Sequence, residues 1–161
     1  MSENYQHPTS VGLLVISLNE NGPYVVASNI DGSFLGVAHE VLDNYFSQLS
    51  LTTIVSLGQG HQYMTGCFEF PCAINTNFRL LILATRIKDY ASVDERLLVG
   101  YFHFILFIPT SFTKRLPNFI TMQDKLLKTL TRNISHKGDI NNKTIEDIRN
   151  ILFYTLLEYA R

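Results

Sequence analysis

Histidine and cysteine are where this chain could do chemistry, and neither type is arranged to do it. A zinc-protease helix needs two His four residues apart; His39-Glu40 has no second His at that spacing, so both read as solvated helix residues. His103 stands inside a long apolar run with no acidic neighbour in sequence to orient it. That setting predicts a hydrogen-bonded core histidine rather than a base or a ligand. His61 follows Gly58-Gln-Gly60, but a phosphate cradle needs such a loop to open a helix after a strand, with a Lys or a full glycine fingerprint. A turn is the better account. Cys67 follows Gly66 in a predicted strand, away from the helix start that would lower a thiol pKa, and no Ser sits in a Gly-x-Ser-x-Gly elbow. The sequence therefore assigns no catalytic, cofactor-binding or metal-binding residue and calls for no cofactor.

Those side chains hang on a pattern of five strands and three helices. Residues 11–18, around Ile16, and 97–108, around Phe104, are apolar at almost every position. A strand with one wet face alternates polar and apolar residues, so these two need cover on both faces, and helices must lie on either side of one sheet. Asn19 to Pro23 supplies a turn into a second strand at 24–28. Asn21-Gly22 signals a hairpin, and Pro23 directly after it suggests a loop longer than two residues. Asp31 or Ser33 offers a helix cap. Val37, Val41, Leu42, Tyr45, Phe46 and Leu49 then recur at the spacing that lines one helix face.

Residues 51–57 are ambiguous between a strand and a packed loop, because Thr52, Thr53, Ile54 and Val55 are β-branched. A strand at 62–70 ends on Pro71, which suits a sheet edge since proline cannot donate to a ladder. Asn75-Thr76-Asn77 turns the chain into a strand at 78–87; residues 88–95 form a polar loop of unassigned role before the last strand. Pro117 stands near the start of a helix carrying Phe119, Ile120, Gln123, Leu126, Leu127, Leu130 and Ile134 at helical spacing. Thr144 with Asp147 resembles a capping pair for the last helix, whose stripe is Ile145, Ile148, Leu152, Thr155, Leu156 and Tyr159. Tyr101, Phe102, Phe104 and Phe107 belong to a covered strand, so they are core rather than a stacking platform for nucleic acid.

Composition agrees with one compact domain: 161 residues, 46% apolar and 17% charged. Residues 114–161 carry nine Lys and Arg against five Asp and Glu, a net +4 that leaves −5 on residues 1–113 of an overall −1. Solvation of two outer helix faces accounts for this better than a basic docking surface does. Cys67 and Cys72, five apart in or beside one strand, would point to opposite faces; two free thiols in a reducing compartment are expected. Residues 1–10 are polar and predicted flexible, without the build of a signal peptide, and the longest apolar run is shorter than the roughly 20 residues a membrane span needs. A cytoplasmic protein is expected, with at most peripheral membrane contact.

In its order of strand, strand, helix, three strands and two helices, the chain resembles the longin domain. This is the profilin-like module of longin-type SNAREs, clathrin-adaptor small subunits, TRAPP subunits and the signal-recognition-particle receptor. The resemblance covers residues 11–161 as a single domain and is one of topology, without a diagnostic motif. It implies an α+β fold: a five-stranded antiparallel sheet with the first and fifth strands central, one helix on one face and the two C-terminal helices on the other. The related roadblock fold has an extra helix before the first strand, for which residues 1–10 are a poor candidate. A heptad helix and anchor like those of the longin-type SNAREs are not expected after Arg161, which favours a TRAPP-like, adaptor-like or stand-alone subunit. The resemblance implies a non-enzymatic interaction module that pairs with another longin or roadblock domain and docks a small GTPase or a vesicle-trafficking complex. A second expectation, from another class, is a small-molecule sensor of PAS or GAF type, with a cavity lined partly by His103 or Tyr63.

Overall fold

A computed structural model describes residues 7–19, 21–57, 64–88 and 99–160. Five strands form one antiparallel sheet: β1 (Gly12–Asn19), β2 (Gly22–Ser28), β3 (Gly66–Pro71), β4 (Phe78–Lys88) and β5 (Val99–Pro109), in the order β2-β1-β5-β4-β3. Among the described residues five helices accompany it: α1 (Gly32–Leu35), α2 (His39–Leu57), α3 (Thr110–Thr113), α4 (Phe119–Asn133) and α5 (Ile145–Ala160). Of the segment expected to be flexible, residues 7–10 are described; Pro8–Ser10 make a single 3-10 turn and Pro8 is buried.

The two nearly unbroken apolar segments occupy the middle of the sheet, as their patterning requires. β1 runs antiparallel to β5 with Val15 opposite Phe104, and β5 pairs on its other side with β4, Leu83 opposite Phe104. Because successive side chains alternate, the sheet feeds two separate cores. Leu13, Val15, Leu83, Phe102, Phe104 and Leu106 pack with Met122, Leu126 and Leu130 of α4 and Leu152, Phe153 and Leu156 of α5. Leu14, Ile16, Leu80, Ile82, Ile105 and Phe107 pack with Leu42, Tyr45, Phe46, Leu49 and Ile54 of α2. Leu13 to Ile16 and Phe102 to Phe107 are all 0% exposed. Fully burying each such Leu, Ile or Phe contributes about 1.5–3 kcal/mol of transfer free energy, so the sheet's middle rows hold the fold together.

Several local expectations are corrected. Residues 51–57 continue α2 rather than forming a strand or loop. Thr53, Ile54 and Leu57 extend the buried stripe, and the Ser50 and Thr53 hydroxyls donate to the carbonyls of Phe46 and Leu49 one turn back. Tertiary packing here overrides β-branched propensity. Asn19 pairs with Gly22 and Leu18 with Pro23, so the hairpin loop is two residues, not longer; Gly22 takes φ 110 and Pro23 is tolerated because β2 is an edge. Val41 lies outside, 45% exposed, not on the buried face of α2. Thr144 does not act as expected either: its hydroxyl donates to the Asp139 carbonyl and accepts from the Asn141 amide, tying down the turn before α5.

Other expectations hold. Asp31 caps a helix by accepting from the Phe34 amide, though the helix is the short α1, which Gly36 closes at φ 68, and not α2 with its Leu42 to Leu49 face. β3, which ends on Pro71, is the other edge strand. At its start Gly66 takes φ 145, and Gln123 of α4 accepts a hydrogen bond from the Cys67 amide at 3.2 Å, pinning this edge to the helical layer. The loop at 88–95 falls, after its first residue, outside the described residues.

Candidate interaction surface

The residues that drew attention as chemical candidates do not converge. His39 is exposed on the first turn of α2, where its Nε2 lies 3.2 Å from the Asp43 carboxylate one turn on, a solvated i,i+4 pair. His61 and Tyr63 lie outside the described residues. Cys67 and Cys72 are both free and buried, on opposite sides of the sheet as their spacing implied: Cys67 joins the α4/α5 core and Cys72 the α2 core. Burial, and secondarily the Glu69 carboxylate, push the Cys67 thiol up to about 12, which makes it inert rather than nucleophilic. The Tyr45 hydroxyl donates to Cys72 Sγ at 3.8 Å, and burial raises its pKa well above the usual phenol range. Among the described residues, no group of three or more His, Cys, Asp or Glu is placed to hold a metal ion.

His103 departs from its expected setting. It is 0% exposed on the α2 side of β5, between Ile16 and Ala84 across the ladders, and its ring meets Tyr101 edge-on at 4.7 Å. Yet neither ring nitrogen has a hydrogen-bond partner among the described residues. Burial holds its pKa down at about 4, so the ring is neutral at ordinary pH.

The grooves among the described residues include three that bear on function. One, of about 460 Å³, lies beyond the β3–β4 ladder, with Leu81 and Ile108 in its floor, Phe119 on its wall and the Glu69–Arg79 ion pair and Lys114 on its rim. A second, of about 430 Å³, lies between α2 and β2 and is lined by His39, Asp43 and Phe46. The third, of about 470 Å³, separates α2 from the β3 edge; Val41, Tyr45, Gln48 and Thr52 form one wall, Phe70 and Ile74 the other.

The outer face of α2 beside that third groove is chemically unusual. Between Asp43 and Glu69 the sequence has no Lys, Arg, Asp or Glu. Exposed helix faces in this chain otherwise carry charge: Asp124, Lys125, Lys128 and Arg132 on α4, Glu146, Asp147 and Glu158 on α5. On α2, Val41, Leu51 and Val55 are instead 45%, 57% and 58% exposed, with Asn44, Ser47, Gln48, Thr52 and Ser56 the other exposed residues past Asp43. Depletion of charge with retained apolar side chains is the composition of a protein–protein interface centre, not of a solvated helix. The sequence signal for this face is the long stretch without charge, readable only once residues 51–57 are known to be helical.

No family model, curated protein or solved structure matches the chain. No helix among the described residues is long and apolar enough to cross a membrane.

Proposed function

We propose that this chain is a non-enzymatic protein-interaction module of longin-like type, a subunit that pairs with another such domain and docks a small GTPase or a vesicle-trafficking complex. The observation that carries the interaction reading is the uncharged outer face of α2, with Leu51 and Val55 more than half exposed, adjoining the groove to the edge strand β3. Support for the longin-like part comes from the strand order β2-β1-β5-β4-β3, which agrees with the arrangement the resemblance implies, and from α2 and α4/α5 packing on opposite faces of the sheet. Fold alone does not fix function, so the GTPase or trafficking partner rests on resemblance. The sensor reading has less behind it: His103 packs edge-on against Tyr101 in the covered strand β5.

Affinity capture from the native lysate, with GDP or GTP added and partners identified by mass spectrometry, tests this. Recovery of a small GTPase or a trafficking subunit in a nucleotide-dependent manner is the expected result. Repeated capture of neither, under either nucleotide, removes the proposal.

A further inference from the structure

We propose that α4 and the turn leading into it dock an anionic lipid bilayer, with Ile120 entering the headgroup region and Lys114, Lys128 and Arg132 meeting the lipid anions. This goes beyond the interaction-module reading and does not rest on it. The charge asymmetry of the chain is concentrated in this segment. Residues 114–132 hold five Lys and Arg against one Asp, whereas residues 133–161 hold four of each sign and residues 1–113 carry −5. Solvating an outer helix face asks only for mixed charge, which residues 133–161 have and residues 114–132 lack.

The cations share a ridge with the most exposed large apolar side chain among the described residues. Ile120, Asp124, Lys128 and Arg132 follow one another four positions apart, on the side of α4 away from the buried Met122, Leu126 and Leu130. The ridge is roughly 18 Å long at about 1.5 Å per residue. Ile120 is 85% exposed, and Leu116, Pro117 and Phe119 just before it are half-buried. One exposed isoleucine needs no explanation by itself. At the tip of a positive ridge it matches a peripheral membrane contact, in which an apolar side chain sinks while cations stay level with the phosphates. The tip is also held in place: Asn118 Oδ1 accepts from the Thr121 amide at 3.1 Å and from the Thr121 hydroxyl at 3.0 Å, capping α4.

Shape and charge favour lipid over a protein partner. Ile120 lines none of the three grooves described above and projects from the surface. A protein would have to bring a matching pocket, whereas a bilayer yields around a protruding side chain. Lys114, Lys128 and Arg132 are exposed and in no ion pair among the described residues, while Lys125 is held by Glu158. Asp124 is the one anion on the ridge and opposes binding. Each Lys or Arg near an anionic surface is worth about fivefold in partitioning, so three cations less Asp124 give roughly 25-fold, a reversible contact rather than an anchor.

Sedimentation of the full chain with vesicles of phosphatidylcholine containing about 30% phosphatidylserine, at about 0.1 M salt, is the test. Binding should be at least about tenfold tighter than to vesicles of phosphatidylcholine alone. Asp124→Asn should tighten it about fivefold, and Lys128→Ser with Arg132→Ser should weaken it about 25-fold. Ile120→Asp should weaken it at least about tenfold with an unchanged far-UV spectrum, since an acid in the first turn suits the helix dipole. The chain has no tryptophan, so Ile120→Trp supplies a single reporter whose emission should shift to the blue on the anionic vesicles. Absence of binding to the anionic vesicles overturns the inference. So does binding that ignores Asp124→Asn and the paired Ser variant, or binding that leaves the reporter's emission where it is in water. A chain that ignores vesicles yet captures a GTPase loses this inference alone and leaves the interaction-module reading standing.

Discussion

His103 gives the sharpest physical prediction, because a buried imidazole without a partner among the described residues makes the fold acid-sensitive in a calculable way. In the folded chain its pKa is depressed from the ordinary 6.5 to about 4 by burial. The sign follows from which state binds the proton. Above about pH 6.5 both states hold a neutral ring, and the group adds no pH dependence. As pH falls through that value the unfolded chain is protonated and the folded chain is not, so stability drops until about pH 4, where the folded ring also takes a proton. Between about pH 8 and about pH 5 this amounts to a loss of about 2 kcal/mol from a single residue.

The perturbation is His103→Leu, which keeps bulk and apolar contact and removes both unpaired nitrogens. Urea unfolding followed by circular dichroism, at about pH 8 and about pH 5, gives four stabilities. Carboxylates elsewhere titrate equally in both proteins, so the difference of differences isolates His103. The variant should be neutral to more stable by about 1–2 kcal/mol at about pH 8, since a buried donor or acceptor left unmade is costly. It should also lose about 2 kcal/mol less than the parent on acidification. Equal acid sensitivity in the two proteins, or a clear destabilisation of the variant at high pH, refutes the reasoning, because either result means the ring has a partner when folded.

The remaining predictions concern packing and reactivity. Phe104→Ala, in the middle strand and 0% exposed, should cost about 3–5 kcal/mol in the same urea assay, whereas Tyr154→Ala, at a position 54% exposed, should stay within about 1 kcal/mol. Gly66→Ala should lower stability by about 1–3 kcal/mol, because φ 145 suits glycine and the added Cβ would lie 3.0 Å from Gln123 Oε1; an unchanged melting temperature would contradict the strained setting. Neither cysteine should be alkylated by iodoacetamide at about pH 8 in the native state, and both should be once urea unfolds the chain. Rapid native labelling of Cys67 would contradict its burial and its pKa of about 12.

The architecture was legible where burial leaves the strongest trace. Residues 11–18 and 97–108 could not have been half-wet strands, and that alone required two helical layers and set both near the sheet's middle. Pro71 likewise gave away an edge. What escaped were features set by packing at a distance. Thr52, Thr53, Ile54 and Val55 read as strand-like from their branching, but Thr53 and Ile54 face the sheet from a helix and the Thr53 hydroxyl is satisfied within it. Thr144 has the sequence of a cap, yet Asp139 and Asn141 hold its hydroxyl in the preceding turn. The polar context of His103 was unreadable as well, since a hydrogen-bond partner for a mid-strand histidine has to come from another element.

The misreading of 51–57 hid the surface that bears on function. As long as those residues are taken for strand or loop, the charge-free stretch after Asp43 looks like core, and an interior needs no charge. Extending α2 to Leu57 turns the same residues outward, because a helix over a sheet can bury only one side. Leu51 and Val55 are then exposed by geometry, in a stretch of sequence that supplies no Lys, Arg, Asp or Glu between Asp43 and Glu69. With both faces of the sheet already covered, new contacts are left to the outer helix faces and the two edges, and α2 with β3 brings one of each together beside a single groove. An interaction role follows from that conjunction more directly than from any single residue.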